Sequence, residues 1–150
     1  MNINEHISPA KLEYYSFLWS EARLVIAAVA LFVGGVPPLF YFLRIPGLYG
    51  LFNTLLTLAW LISGVASAYL LYRWYKGNMT VFGGKEQMDV AAFFVSVVSG
   101  INLGLTGLLR NNIGMSITQN QIIYIVVGVL YLAAAYRLYT RWNSSGKKIF

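Results

Sequence analysis

In 150 residues the chain is 58% hydrophobic and only 11% charged. That is less than half the roughly 25% charge of a soluble domain, so a bilayer is its natural solvent. The net charge of +6 comes from basic residues scattered at the ends of apolar runs, with one adjacent pair, Lys147-Lys148, and there is no cysteine; the pattern excludes a clustered nucleic-acid-binding patch, and the composition excludes thiolate metal sites, thiol nucleophiles and disulfides.

The first 23 residues read as an N-terminal interfacial segment. Ser8-Pro9 predicts a helix start, with serine as cap and proline at the first helical position. Leu12, Tyr15, Trp19 and Ala22 then share one face, and Glu13, Ser16 and Ser20 turn away from it, as in a helix lying in the membrane surface. An upstream extension of the first span reads equally well. About twenty fairly polar residues precede the first apolar run, whereas a cleavable signal puts a short basic region there, so an uncleaved anchor is expected.

Residues 24–43 are free of charge, and at about 1.5 Å per residue they reach across about 30 Å of hydrocarbon. Within them Gly34-Gly35-Val36-Pro37-Pro38 predicts a kink or break, because each proline removes a backbone donor. Arg44-Ile45-Pro46-Gly47 reads as a turn, and a second span over 48–72 then runs antiparallel to the first, giving hairpin 1 over 24–72. Asn53, Thr54, Thr57, Ser63, Gly64 and Ser67 let that span approach another helix closely. Residues 73–89 form a polar cytoplasmic connection with turn signals at Gly77-Asn78 and Gly83-Gly84. Its Gly83-Gly84-Lys85 is no phosphate loop, since Met79 and Glu86 stand where glycine and Ser or Thr are required.

Hairpin 2 covers 90–139, with spans over 90–109 and 121–139 joined by a polar loop, and a basic cytoplasmic tail fills 140–150. Ser99, Asn102 and Thr106 recur at helical spacing and so share a face of the third span. The fourth span echoes the second sixty-seven residues on, pairing Asn53 with Asn120 and Ala68-Tyr69-x-Leu71-Tyr72 with Ala135-Tyr136-x-Leu138-Tyr139. A shift of sixty-six lays Gly34, Pro38 and Arg44 on Gly100, Gly104 and Arg110. The expected fold is therefore an all-α integral membrane protein, a four-transmembrane-helix bundle of two tandem hairpins in parallel repeat behind an interfacial helix.

Reactive groups are few: His6, Glu5, Glu13, Glu21, Glu86 and Asp89, none inside the spans as bounded here. Proton relays and ion pathways normally show such groups at membrane depth, and general acid–base chemistry needs a positioned proton carrier. The sequence thus predicts neither catalysis, nor a cofactor, nor a metal. Glu86 and Asp89 are expected to favour the positive end of the third span, and Arg44 and Arg110 to serve as interfacial anchors. The expected function is a non-catalytic subunit or scaffold of a larger membrane complex, with the bilayer and other membrane proteins or further copies as partners and no nucleic acid. The alternative is a passive channel or facilitator for a small solute, lined by Asn53, Ser99, Asn102, Thr106 and Asn120 near the break at Pro37 and Pro38.

Orientation follows from basic residues near span ends, which cytoplasmic flanks retain. Lys11, Arg23, Arg73, Lys76, Lys85, Arg137, Arg141, Lys147 and Lys148 fall on the side of the termini, and Arg44 and Arg110 on the other. Both termini are expected in the cytoplasm, with the protein in the cell (inner) membrane. Single cysteines at Ser145 and Asn112 test this in a chain that has none of its own: an impermeant thiol reagent on intact cells should label only N112C. Labelling of S145C would reverse the orientation.

Overall fold

The computed structural model describes residues 8–43 and 45–150, and over them the chain is all-helical. His6, Glu5 and the expected anchor Arg44 lie outside the described residues. The helices are α1 (Pro9–Phe32), α2 (Pro38–Phe42), α3 (Tyr49–Lys76, after a 3-10 turn at Pro46–Leu48), α4 (Gln87–Leu109), α5 (Ile113–Ile117) and α6 (Gln121–Ser144). Four of the described helices, α1, α3, α4 and α6, are long and apolar enough to cross a membrane. They form a ring in the order α1, α3, α4, α6, with α1 also touching α4 across the middle. One end of the ring carries the described termini, and the other carries the turns within each hairpin; these are called here the termini end and the hairpin end.

The first helix departs most from the sequence reading. Helix α1 runs unbroken from Pro9 to Phe32, so residues 9–23 are the upstream extension that the sequence equally allowed, and the first helix does not continue to 43. The two faces fall where the sequence put them, but the polar face meets protein rather than water. Glu13, Ser20, Glu21 and Arg23 are buried, while Leu12, Tyr15, Val25 and Ile26 are exposed. Polar groups turn inward because lipid cannot satisfy them, which is the pattern of a membrane helix. At the other end α1 stops at Phe32, and Gly34 and Gly35 adopt φ of +83° and +82°. Such values suit glycine, which lacks the Cβ that would clash. Pro37 and Pro38 then open the short α2.

Small residues set the tightest crossing. A Cβ placed on Gly104 would lie 2.6 Å from the Cα of Gly64, and one on Gly100 would lie 1.9 Å from Ser67 Oγ. The two backbones of α3 and α4 thus touch, as small residues allow in membrane bundles. The proposed sixty-six-residue register does not place like with like, since Gly34 sits in a turn and Gly100 sits mid-helix against Ser67. Asn53 lies inside α3, whereas Asn120 caps α6 and accepts from Ile122 N at 2.9 Å.

The termini half is densely packed. Phe17, Leu24, Leu70, Phe93, Val97, Leu138 and Trp142 are buried together, and the connection and tail close over them. Val81 and Ile149 are buried, and Phe82 N donates to Ile149 O at 2.6 Å. The 73–89 connection, expected as a polar linker, therefore contributes to the core through Val81. Carboxylates clamp this end: Asp89 receives Arg137 at 2.7 Å and Arg141 at 2.8 Å, Glu86 pairs with the same two arginines, and Glu13 pairs with Arg73 at 2.8 Å. Helix α6 runs to Ser144, past the expected end at 139, so Arg141 belongs to its last turn.

The crossing yields a direct test. Gly104→Val should lower the thermal midpoint in detergent, at an overpacking cost of about 1–3 kcal/mol, because the backbone at Gly64 cannot yield as a side chain would. Gly50→Ala, where a methyl group meets nothing within 4 Å, should leave the midpoint unchanged. Equal midpoints for the two variants would contradict the crossing.

Candidate functional site

Arg23 lies fourteen residues into α1, about 21 Å along its axis, and is only 5% exposed. Its guanidinium reaches across the bundle to α4. Nη1 donates to Ser99 Oγ at 2.7 Å, and Nη2 donates to Ser96 O at 2.7 Å and to Ser96 Oγ at 3.3 Å. Gly100 makes room for it, since a Cβ there would lie 3.1 Å from Arg23 Cζ. Nε has no hydrogen-bond partner among the described residues, and neither do the neighbouring buried hydroxyls of Ser20 and Ser67. No carboxylate among the described residues forms an ion pair with Arg23. Glu21, two residues away, lines a groove between α1 and α6 with Leu132, Tyr136 and Tyr139, and its Oε1 is likewise unpartnered.

From Arg23 a cavity of about 790 Å³ extends to the hairpin end. Its inner limit is formed by Trp19, Arg23, Ser63, Ser99 and Tyr131, and its walls by Ile26, Ala27 and Ala30 of α1, Leu56, Ala59 and Trp60 of α3, and Tyr124 and Val127 of α6. The turn after α1, with Gly35, Pro37 and Pro38, and the α5 segment, with Asn112, Met115 and Thr118, cover the outer limit. Most of this surface is aliphatic or aromatic; the polar atoms concentrate along α4 and at the inner limit. Trp19 Nε1 donates to Ser63 Oγ at 3.0 Å. The α5 cover is pinned to α4 by two amides: Asn102 Nδ2 donates to Asn112 Oδ1 at 2.9 Å, and Gly114 N donates to Asn102 Oδ1 at 3.2 Å.

The structure gathers part of the residue set expected from sequence. Ser99, Asn102, Thr106, Pro37 and Pro38 all line this cavity. Asn53 is exposed on α3 and Asn120 is exposed at the start of α6, both away from it. Arg110 ends α4 with φ of 57°, and its Nη1 donates to Thr57 Oγ1 at 2.8 Å. Arg23, Trp19, Ser63, Ser96 and Tyr131 were missed. A usable signal was present, because Glu13, Ser16, Ser20 and Arg23 recur at helical spacing and form one polar stripe.

The cavity occupies one half of the bundle. Its lining stops at the level of Trp19 and Arg23, and the buried cluster around Phe17, Phe93 and Trp142 fills the space beyond. The arrangement is a chamber with a cationic inner limit and an apolar wall. Such a chamber suits the reversible holding of a molecule with an apolar body. No family model matches the chain, and neither the curated proteins nor the solved structures yield a match.

Proposed function

We propose that this chain is a non-catalytic multi-pass membrane protein that holds the apolar chain of a membrane amphiphile inside its bundle. The observation carrying this reading is the aliphatic and aromatic chamber of about 790 Å³ that ends at Arg23. Its size falls within the roughly 300–1,000 Å³ typical of small-molecule sites, and its few polar groups on an apolar wall follow the usual pattern of such sites. The passive-channel alternative has less support, because the chamber includes Ser99, Asn102 and Thr106 but neither Asn53 nor Asn120, and the packed termini half faces its inner limit.

The reading as subunit or scaffold has one support of its own. Gly64, Ser67, Gly100 and Gly104 are used within the chain, but Asn53 stays exposed on α3, where a partner helix or a second copy would give its amide hydrogen bonds. In the same proposal the termini lie in the cytoplasm and the chamber in the outer half of the membrane. Lys11, Arg73, Lys76, Lys85, Arg137, Arg141, Lys147 and Lys148 support it from the termini end, with Arg110 at the hairpin end; Arg23, at mid-depth, leaves the count. Helix α1 has 24 residues, about 36 Å, so its first turns would overhang the hydrocarbon and lie at the interface. The matching Ala-Tyr-x-Leu-Tyr ends of α3 and α6 support a tandem origin for the hairpins.

Two tryptophans, Trp19 and Trp60, line the chamber, which makes a brominated octadecanol a suitable probe. Quenching of tryptophan fluorescence in the purified protein should be saturable and reversed by unbrominated octadecanol. Filling the chamber with Ala27→Phe and Ala59→Phe should weaken binding about tenfold, roughly 1.4 kcal/mol, whereas Ala133→Phe on the exposed face of α6 should not. Saturable binding that ignores the filling substitutions would defeat the proposal.

A further inference from the structure

Resting on the reading of the chamber as an amphiphile site, we infer that the amphiphile is anionic and seats a carboxylate or phosphate oxygen against the guanidinium of Arg23. A charge at mid-membrane is costly unless it is paired and hydrogen-bonded. Even at the termini end, where exposure is greater, the chain pairs its arginines from within: Arg73 has Glu13, and Arg137 and Arg141 share Asp89 and Glu86. Arg23 is more buried than any of these and has only neutral acceptors, Ser96 O, Ser96 Oγ and Ser99 Oγ. Glu21, two residues away, interacts with Arg23 through space but makes no direct ion pair with it and lines the separate groove between α1 and α6, so the guanidinium has no carboxylate in contact.

Arg23 also keeps donor capacity that nothing uses, and Ser67 shares the space at Gly100 with its head group. Arg23 Nε, Ser20 Oγ and Ser67 Oγ are buried without partners among the described residues. A guanidinium offers five N–H donors in a planar fork matched to two oxygens of a carboxylate or phosphate, and three neutral acceptors on two of its nitrogens leave that capacity unfilled. An oxyanion entering along the cavity would meet Arg23 at its inner limit, with Ser99 and Tyr131 beside it and the aliphatic wall around its chain. The apolar wall is what calls for a chain on the anion, since a bare inorganic ion would leave it uncovered.

The test uses the full-length protein in detergent and three probes with the same chain: hexadecanol, hexadecanoate and hexadecyl phosphate, measured at mildly alkaline pH so that both acids are ionised. The wild type should bind at least one of the two anions about tenfold more tightly than the alcohol, a difference of ~1.4 kcal/mol. Arg23→Gln should abolish that preference while still binding hexadecanol, which shows that the chamber has folded, and Arg23→Lys should restore part of it. Tighter binding of hexadecanoate assigns a carboxylate as the head group, and tighter binding of hexadecyl phosphate assigns a phosphate. Equal affinity of the wild type for all three probes, or an anion preference that survives Arg23→Gln, would overturn the inference and leave the chamber reading standing. Failure to bind any of the three, hexadecanol included, would remove the chamber reading itself.

Discussion

A guanidinium at the middle of a membrane bundle constrains everything packed around it. Arg23 cannot face lipid, so α1 must turn its polar stripe inward and lay Leu12, Tyr15 and Val25 outward. Across the ring, α4 must present acceptors at the same depth, which Ser96 and Ser99 provide. Room for the planar head requires a residue without a side chain, and Gly100 fills that position between Arg23 and Ser67. The close approach of α3 to α4 at Gly64 and Gly104, one turn further along α4, continues the same seam. One buried charge thus accounts for the inverted polarity of one helix and part of the glycine pattern of another.

The two halves of the bundle differ because their chain connections differ. At the termini end, aromatic side chains and the buried Val81 and Ile149 fill the space, and the carboxylates of Glu13, Glu86 and Asp89 fix the helices to one another. At the hairpin end α1 is already over at Phe32, and the chain crosses as a turn through Gly34 and Gly35. The short helices α2 and α5 cover the space that a longer α1 would have filled, and the chamber lies beneath them. Polar side chains hold that cover in place: Asn102 on α4 bonds Asn112 and Gly114, and Gln121 Nε2 donates to Phe32 O at 3.2 Å.

The four helices were legible because three of the spans are long apolar runs between polar loops, and the expected limits of α4 and α3 fall within a few residues of the observed ones. The first span was misplaced for a physical reason. A search for charge-free residues selects 24–43, yet Gly34 and Gly35 end the helix there, and Glu13, Glu21 and Arg23 are tolerated upstream because they face protein rather than lipid. The same preference for charge-free runs removed Arg23 from the candidate site and counted it as a cytoplasmic flank. Periodicity carried the correct information for Ser99, Asn102 and Thr106, which share a cavity wall. Asn53 and Asn120 were chosen by type and by their place in an alignment, with no face to join them, and they lie apart from that wall.

The central claim is that a chain-bearing anion completes a site whose inner end is Arg23. A high-resolution cryo-EM map of the protein in nanodiscs made from its own native membrane would test it most directly. The account predicts elongated density along the chamber between α1, α3, α4 and α6, ending within hydrogen-bonding distance of the Arg23 guanidinium. A chamber collapsed onto its own side chains, with Arg23 paired to Glu21 instead, would contradict it.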